Sequence, residues 1–349
     1  MKKYMLIIIS IFALFSCRND IITKSTPEEV FLAFWKTLDE NYVYFEEKNL
    51  DWDSIYHIYY PQAQAAKDRY ALYGIFSEII PLFKDGHVSM HGYLSSDYYF
   101  SINYSFMQYV DTLNWYRHNT NDILKEWGFE EKKYSQNFRC YQHKNKNYAM
   151  ISTYAMGAPI GTEQKTMLGE LTSVINSLNC KDGLIFDITN NGGGFVNEIL
   201  PLFFADEKML YYAQFKTGKG HNDFSDKIPQ TVHGEGVVPE TVPVVVLTGP
   251  NTFSAANCFA YIVKDFPNVT ILGKKTGGGG GPIHLLTLPN SWIISSPFAK
   301  AVGINGENME FPLVPDIYVK KVNSNNEDVT NESDVIIKAI EVLDSINNK

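Results

Sequence analysis

Apolar residues at helical spacing dominate the first part of this 349-residue chain. Three stretches share this pattern: residues 30–38, 52–60 and 70–83. Thr26 and Glu29 lie three residues apart just before the first stretch, in the arrangement of a capping box that starts a helix. The pattern therefore predicts a helical unit over residues 25–91. The segment that follows, residues 92–147, is rich in Tyr, Asn and Ser and has an irregular pattern.

A different pattern begins at residue 148, where short continuous apolar runs alternate with helical stretches. The runs, which are typical of buried strands, are residues 148–154, 183–187, 242–247 and 270–273. The helical stretches are residues 163–178, 195–204, 258–263 and 335–346. This alternation predicts an α/β core of β–β–α units around a buried sheet, over residues 148–349. Residues 283–288 and 292–296 are predicted to form a hairpin.

The first 17 residues have the composition of an export signal. Lys2 and Lys3 precede an apolar run that ends in small residues before Cys17, which predicts a signal peptide over residues 1–16. The ending Leu14-Phe-Ser-Cys17 resembles the lipobox of bacterial lipoproteins, which implies that Cys17 is lipidated and that residues 17–24 form a tether. We therefore expect a lipid-anchored protein of the bacterial cell envelope, periplasmic or surface-facing, that contacts the membrane through its lipid only. An ordinary signal peptide with a coincidental cysteine is the alternative.

Charge and cysteine content narrow the function classes. The formal net charge is −9, and a nucleic-acid partner is excluded because phosphate binding needs a basic surface. Besides Cys17 the chain has three cysteines, Cys140, Cys180 and Cys258, and an odd number cannot all pair in disulfides. Their wide spacing forms no metal-binding motif. We expect these three cysteines to be mostly buried free thiols. The alternative is that two of them form a disulfide, as an oxidising compartment allows.

The stretch around Ser254 is a candidate catalytic segment. It follows the apolar run 242–247 and precedes an apolar helix, so it is placed at a strand-to-helix turn. The unpaired amides at a helix N-terminus carry partial positive charge, which suits a developing oxyanion beside an activated serine. The alternative is a simple helix cap, since serine is favoured at that position.

A glycine-rich turn, Asn190-Asn-Gly-Gly-Gly194, follows another predicted strand. Glycines let backbone amides approach a ligand closely, as an oxyanion hole or a phosphate cradle requires. Phe195 and Val196 stand where a phosphate-binding loop needs a lysine, so the phosphate interpretation fails. A tight turn with no further role is the other alternative.

These stretches together resemble the C-terminal processing (tail-specific) serine peptidases. Asp187-Ile-Thr-Asn-Asn-Gly-Gly-Gly194 is similar to their Asp-Leu-Arg-x-Asn-x-Gly-Gly signature, and Thr252-Phe-Ser-Ala-Ala to their nucleophile block. Gly273-Lys-Lys-Thr276 and Pro315-Asp-Ile317 resemble two later blocks, in the same order, over about residues 146–320. The resemblance implies a ClpP/crotonase-like core with an N-terminal helical subdomain. Residues 92–147 are too short and irregular for the PDZ module that many such peptidases insert, so we expect none.

One departure indicates a branch of the family. Bacterial processing enzymes carry a dyad lysine at the position that Gly279 occupies here, whereas the tricorn-core branch pairs its serine with an upstream histidine. Lys84-Asp-Gly-His87 resembles that upstream element. The resemblance therefore implies Ser254 as nucleophile and His87 as general base. It also implies an oxyanion hole from the Ala255 amide and the amide of Gly192 or Gly193.

Several other residues compete for supporting roles. Glu310 is the nearest candidate for the acid that orients the histidine, with Glu307 behind it. His284 is a rival base, and Lys274 or Lys275 could replace the missing dyad lysine. Each of these residues has the alternative of being an ordinary surface or packing residue.

The resulting prediction is a serine endopeptidase that cleaves peptides or partly unfolded proteins outside the cytoplasm through an acyl-enzyme. A histidine that titrates near neutrality can take the proton of a serine hydroxyl, and two amides can hold the tetrahedral oxyanion. No metal and no organic cofactor is implied, and the oligomeric state is left open. The alternative from another class is a catalytically silent lipoprotein that binds a peptide or small ligand on the same scaffold.

Overall fold

A computed structural model describes residues 25–104, 120–134, 137–157 and 165–348. The predicted signal peptide, the tether and Cys17 lie outside the described residues. No helix within the described ranges is both long enough and apolar enough to cross a bilayer.

Three helices form the start of the described chain: α1 (Pro27–Asn41), α2 (Trp52–Ala65) and α3 (Arg69–Ile79), which a 3₁₀ turn (Ile80–Phe83) extends. Thr26 and Glu29 form the predicted capping box, in which the Thr26 hydroxyl accepts from the Glu29 amide at 3.2 Å. The helices pack through aromatic side chains, as the 4.4 Å between the ring centroids of Phe34 and Phe76 illustrates. Such packing of large rings contributes much of the buried core on this side of the molecule.

A four-stranded antiparallel sheet shares that core. Its strands are β1 (Ser89–Ser95), β2 (Tyr98–Asn103), β11 (Ile283–Thr287) and β12 (Ile293–Pro297), in the order β11-β12-β1-β2. Trp292 and Ile294 are buried in the same cluster as the helices. The predicted hairpin therefore exists, but it pairs with β1 and packs on the N-terminal unit, although about 200 residues separate the two segments in sequence.

A seven-stranded sheet forms the second part of the molecule, in the order β14-β10-β9-β6-β5-β4-β3. Its strands are β3 (Phe129–Tyr134), β4 (Phe138–His143), β5 (Tyr148–Thr153), β6 (Gly183–Asp187), β9 (Val244–Thr248), β10 (Val269–Gly273) and β14 (Ile317–Tyr318). Strands β5, β6, β9, β10 and β14 are parallel, and β3 and β4 continue the sheet antiparallel. Both faces are buried, which explains the continuous apolar runs in the sequence.

Four helices accompany this sheet: α4 (Thr120–Glu126), α5 (Lys165–Ser177), α6 (Ala255–Val263) and α7 (Glu332–Asn347). Side chains of α5 and α6 share one core with Phe186 and Val246. Side chains of α7 share another with Ile185 and Val245, the neighbours of those residues along the strands. Because successive strand residues point to opposite faces, α7 covers the face opposite to α5 and α6.

A third sheet has the order β13-β7-β8; its strands are β7 (Glu207–Phe215), β8 (Ile228–His233) and β13 (Ala299–Gly303). Its Leu210 and Ala301 side chains belong to the core that α5 and α6 share. The chain reaches this sheet through two 3₁₀ turns, Val196–Glu198 and Leu200–Phe203, where the sequence predicted one helix over 195–204. That prediction was wrong in type. Pro201 has no amide hydrogen to donate within a helix, and it interrupts the segment.

Candidate active site

Ser254 lies at the turn between β9 and α6, at the carboxyl end of the parallel strands. It occupies the N-cap position of α6, but its side chain makes no capping hydrogen bond. Its backbone has φ 57° and ψ −126°, a conformation that residues with a side chain rarely adopt. The Ser254 amide is held by the carbonyl of Gly278 at 2.9 Å. The turn thus presents the hydroxyl away from the helix, and the capping alternative does not describe this serine.

His87 faces that hydroxyl from the N-terminal unit. Its Nε2 lies 2.9 Å from Ser254 Oγ, and its ring packs against Phe253 with centroids 4.8 Å apart. The His87 amide donates to Asp85 Oδ1 at 2.8 Å, which fixes the turn just before β1. Asp85 in turn accepts from the Tyr42 hydroxyl at 3.1 Å. The histidine is therefore positioned by buried groups of the helical unit.

Gly279 explains why no dyad lysine is present. A Cβ placed on Gly279 would lie 2.5 Å from the Phe253 ring and 3.1 Å from His87 Cε1, and the residue has φ +84°. A side chain at this position would therefore collide with the aromatic ring that supports the histidine. In this chain the histidine occupies the space beside the serine.

Two buried carboxylates lie close to His87. A ring nitrogen of His87 and carboxylate oxygens of Asp85 and Glu310 lie within 4.8 Å of one another. His87 Nδ1 is buried and has no hydrogen-bond partner in the described part of the chain. At this separation Asp85 acts on the ring through its charge.

Lys48 neutralises part of this charge. Its Nζ lies 2.6 Å from Glu310 Oε1 and donates to the Lys84 carbonyl at 3.1 Å, while the Gly280 amide donates to Glu310 Oε2 at 3.0 Å. The cluster offers three ligand atoms, two carboxylate oxygens and one imidazole nitrogen, that a divalent metal could use. However, an ammonium group already bonds one carboxylate and Tyr42 bonds the other. The expectation that no metal is needed remains a prediction.

Burial and neighbouring charges set the protonation states. Burial lowers the pKa of His87, with Lys48 acting in the same direction and Asp85 opposing both. A lowered pKa keeps the imidazole neutral at neutral pH, which is the form that accepts a proton. Burial and the charge of Asp85 raise the pKa of Glu310 to about 7, although Lys48 and the Gly280 amide favour its ionised form. The charge of Glu310 therefore depends on Lys48.

The predicted oxyanion donors lie beside the serine. A Cβ placed on Gly193 would lie 2.7 Å from Ser254 Cβ and 3.0 Å from the Ala255 nitrogen, so the glycine backbone lies directly against the nucleophile. Ala255 opens α6, where amides have no acceptor within the helix. The Gly193 amide donates to Asn191 Oδ1 at 2.9 Å, so Asn191 holds this turn in place. That the amide of Gly192 or Gly193 completes the oxyanion hole with the Ala255 amide remains a prediction.

Replacing Gly193 with Ala is expected to lower kcat/KM by about 10²–10³-fold, because a methyl group there would displace Ser254 and the Ala255 amide from the positions that hold the oxyanion. The added methyl would fill the space between the Gly193 backbone, Ser254 and Ala255, and the φ of +106° disfavours any side chain. Gly192→Ala is the matched control, because a Cβ there meets no atom within 4 Å. Steady-state kinetics on one peptide measures both variants. Equal activity of the two would contradict this role for Gly193.

The remaining candidates lie in other contacts. Lys274 Nζ bonds Asp328 and lies 4.9 Å from the Tyr318 ring, while Lys275 is exposed. His284 packs on Phe298 with ring centroids 5.3 Å apart. Glu307 lies 4.0 Å from Lys264. The structure records no bond between any of these candidates and Ser254 within the described ranges, so of the candidate bases and acids only His87 and Glu310 lie in the cluster beside Ser254.

A pocket of about 440 Å³ opens beside Ser254. Its walls are mostly apolar, and they are formed by β7, β13, the glycine turn and the segment 279–282. The buried thiol of Cys258 forms part of the wall, and burial raises the pKa of Cys258 to about 12, so the thiol stays neutral. Cys140, Cys180 and Cys258 are all free buried thiols.

Sequence reasoning missed three residues of this cluster. Asp85 could have been found, because an aspartate two residues before a histidine often binds the backbone of the turn between them. Lys48 and Tyr42, which lie in the connection between α1 and α2, had no comparable signal. Their role depends on a contact with Glu310 or Asp85 that only the folded chain creates.

The profile of peptidase family S41 matches residues 147–319, the region that holds Ser254, the glycine turn and Glu310. Residues 147–319 are therefore similar to a peptidase family S41 domain. This domain is of the serine peptidase class. The profile of the Tricorn protease C1 domain matches residues 24–80, which span α1 to α3. Both matches support the predicted relationship to the C-terminal processing peptidases.

One curated relative of the S41 domain is the carboxy-terminal processing protease CtpA of Bacillus subtilis (strain 168). It is 30% identical over 121 residues, a match that covers 33% of this chain and 24% of that protein. The chain thus spans about a quarter of the curated relative's length. That relative's processing activity is a property of the longer protein.

Solved structures resemble the chain over nearly its whole length. A candidate peptidase from Parabacteroides merdae ATCC 43184 is 26% identical with a TM-score of 0.74, and the match covers 91% of this chain and 97% of that one. Mature CPAF complexed with lactacystin has the same fold at 13% identity and a TM-score of 0.61, covering 94% and 98%. These likenesses confirm the predicted α/β fold class with a helical N-terminal part.

Proposed function

We propose that this chain is a serine endopeptidase that cleaves peptides or partly unfolded proteins through an acyl-enzyme on Ser254. The observation that carries the proposal is the 2.9 Å separation of His87 Nε2 and Ser254 Oγ, at a helix start that faces a glycine turn. A hydroxyl, a neutral imidazole and free backbone amides are the groups that acyl transfer requires.

The chemistry follows from the positions of these groups. As Ser254 Oγ attacks the peptide carbonyl carbon, its proton passes to His87 Nε2, and the carbonyl oxygen becomes an oxyanion. The Ala255 amide and an amide of the glycine turn hold that oxyanion. His87 then gives the proton to the leaving amine, which departs as the carbonyl re-forms. Water repeats the sequence with His87 as base, and this releases the acid and restores Ser254.

Glu310 is the acid that we assign to support His87. When His87 becomes an imidazolium, a nearby carboxylate stabilises its positive charge, and Glu310 lies close enough to do so. Its bonds to Lys48 and to the Gly280 amide hold it in place. Asp85 adds negative charge, and it also fixes the His87 backbone.

The pocket beside Ser254 sets the kind of substrate that we expect. Its apolar walls favour an uncharged aliphatic or small aromatic side chain next to the scissile bond. The lipobox-like sequence supports a place in the bacterial cell envelope, with Cys17 lipidated and the peptidase domain outside the cytoplasm. Peptides or partly unfolded proteins of that compartment would be the substrates.

A fluorophosphonate probe, which bonds covalently to an activated serine, tests the proposal on the purified chain. We expect stoichiometric labelling of Ser254, located by mass spectrometry, and cleavage of an unfolded protein that stops when labelling is complete. Ser254→Ala should not be labelled. An unlabelled wild-type chain that still binds peptides would contradict the proposal and favour the silent binding protein.

A further inference from the structure

Strand β11 begins where the Ser254 pocket ends. Residues 279–282 line the pocket, and Ile283 is the first residue of the strand. β11 is an edge of its sheet, and β12 is its only neighbour among the strands that the structure describes. A free strand edge is therefore continuous with the wall of the candidate active site.

The hydrogen-bond pattern shows which residues of β11 face outward. The Phe298 amide donates to the Pro282 carbonyl at 3.1 Å, and the Leu288 amide donates to the Trp292 carbonyl at 2.7 Å. Between these two bonds the register pairs residue 284 with 296 and residue 286 with 294. Because bonded pairs alternate in an antiparallel ladder, Ile283, Leu285 and Thr287 direct their amides and carbonyls away from β12.

This edge also lacks the usual protection. Ile283 and Leu285 are 46% and 66% exposed, and β11 contains no charged residue. By contrast β3, at the edge of the seven-stranded sheet, carries four charged residues in succession, Glu130–Lys133. Natural proteins commonly use charges to keep edge strands from pairing with other chains. An exposed aliphatic edge is therefore suited to receive another strand.

We propose that β11 binds the main chain of the substrate as an added strand, next to the bond that Ser254 attacks. This inference rests on the proposed peptidase function and adds where an extended substrate lies. The substrate would bond to the outward amides and carbonyls of Ile283 and Leu285. We favour a substrate over a second copy of this chain because the edge runs directly into the Ser254 pocket.

The reach of the strand gives the proposal a length scale. Ile283 and Leu285 follow Gly279 by four and six residues, which corresponds to at most about 13 and 20 Å at ~3.3 Å per residue. A substrate in extended form has the same rise per residue. Positions roughly four to six residues from the scissile bond, on one side of it, should therefore contact β11.

A series of peptides tests this with the intact enzyme. Each peptide carries one N-methyl group, moved one position at a time from the scissile bond out to the eighth residue. N-methylation removes a single backbone donor, so kcat/KM should fall about tenfold at alternate positions, the scale of one or two lost hydrogen bonds. The intervening positions should show little change. Uniform effects, or none beyond the third residue, would overturn the proposal.

Leu285→Pro provides a second measurement, because it removes an outward amide and leaves the bonded pairs with β12 in place. We expect kcat/KM for a ten-residue peptide to fall about tenfold while that for a three-residue ester is unchanged. Leu285→Ala, which keeps the amide, should cleave both substrates like the wild type. An unchanged long-peptide rate with a lower sedimentation mass for Leu285→Pro would show an interface between copies and overturn the proposal.

These results separate this inference from the proposed function. If the wild type cleaves the three-residue ester and the probe labels Ser254, the peptidase assignment stands whatever β11 does. Equal kcat/KM for short and long peptides would then overturn the role of β11 alone. A chain that neither cleaves the ester nor reacts with the probe would overturn both.

Discussion

Replacing Ser254 with Ala is expected to lower kcat/KM for an unfolded protein by about 10⁴-fold or more, the scale seen when a catalytic serine is removed. The reason is that no other hydroxyl is placed at 2.9 Å from His87 Nε2 in the described structure. The fold should be retained, because the Ser254 side chain makes no capping bond and the substitution removes one oxygen. Cleavage assays and thermal unfolding of the two proteins measure these effects.

His87→Ala should give a loss of similar size, and the double variant should be no worse than either single variant. Residues that act as one unit lose their function together, so their effects do not add. Lys274→Ala is the control for the Ser-Lys alternative, since Lys274 is bonded to Asp328. If activity survived in His87→Ala and disappeared in Lys274→Ala, the histidine assignment would be wrong and the lysine would be the base.

The core sheet and the serine turn could be predicted because their signals are local. Buried parallel strands produce continuous apolar runs, as in β9, and a serine between such a run and an apolar helix can be placed at their turn. The glycine turn after β6 has the same local character. These signals led to the α/β fold class, whereas the expectation that Ser254 lies beside the glycines came from the resemblance to the C-terminal processing peptidases.

Long-range pairing could not be predicted in the same way. The apolar composition of residues 283–288 predicts a strand, but it does not show that its hairpin partner β12 pairs with β1. The same limit applies to Glu310 and Lys48, which lie more than 260 residues apart and meet in a buried ion pair. Hydrophobic periodicity gives no information about which distant charged residues meet. In the folded chain Lys48 Nζ lies 2.6 Å from Glu310 Oε1.

Replacing Lys48 with Met is expected to shift the acid limb of the kcat/KM profile upward by about 1–3 pH units. In the proposed mechanism, activity requires ionised Glu310 to stabilise the imidazolium, and the pKa of Glu310 is already raised to about 7 by burial and by Asp85. Without the ammonium that favours the ionised form, this pKa rises further. The variant should therefore be weak at pH 7 and recover as pH rises above the new pKa. For the wild type, the acid limb of the kcat/KM profile should have its midpoint near pH 7, the pKa of Glu310.

Three variants separate this electrostatic role from simple loss of packing. Lys48→Arg keeps the positive charge and should retain the profile, although its rate can fall because the guanidinium has a different shape. Glu310→Gln should lose roughly 10²–10⁴-fold at every pH, because the amide cannot ionise. Lys274→Met removes an ion pair that is remote from His87 and should leave the profile unchanged.

Stability must be measured beside activity, because loss of one member of a buried ion pair costs about 3–5 kcal/mol when its partner remains charged. Lys48→Met and Lys274→Met both lose an ion pair in which the lysine side chain is largely buried, at 11% and 9% exposed. A general loss of folded protein would lower kcat/KM by the same factor at every pH. A profile that moves only in Lys48→Met therefore assigns Lys48 to the charge of Glu310, and an unmoved profile would show that Glu310 does not act on His87 through its charge.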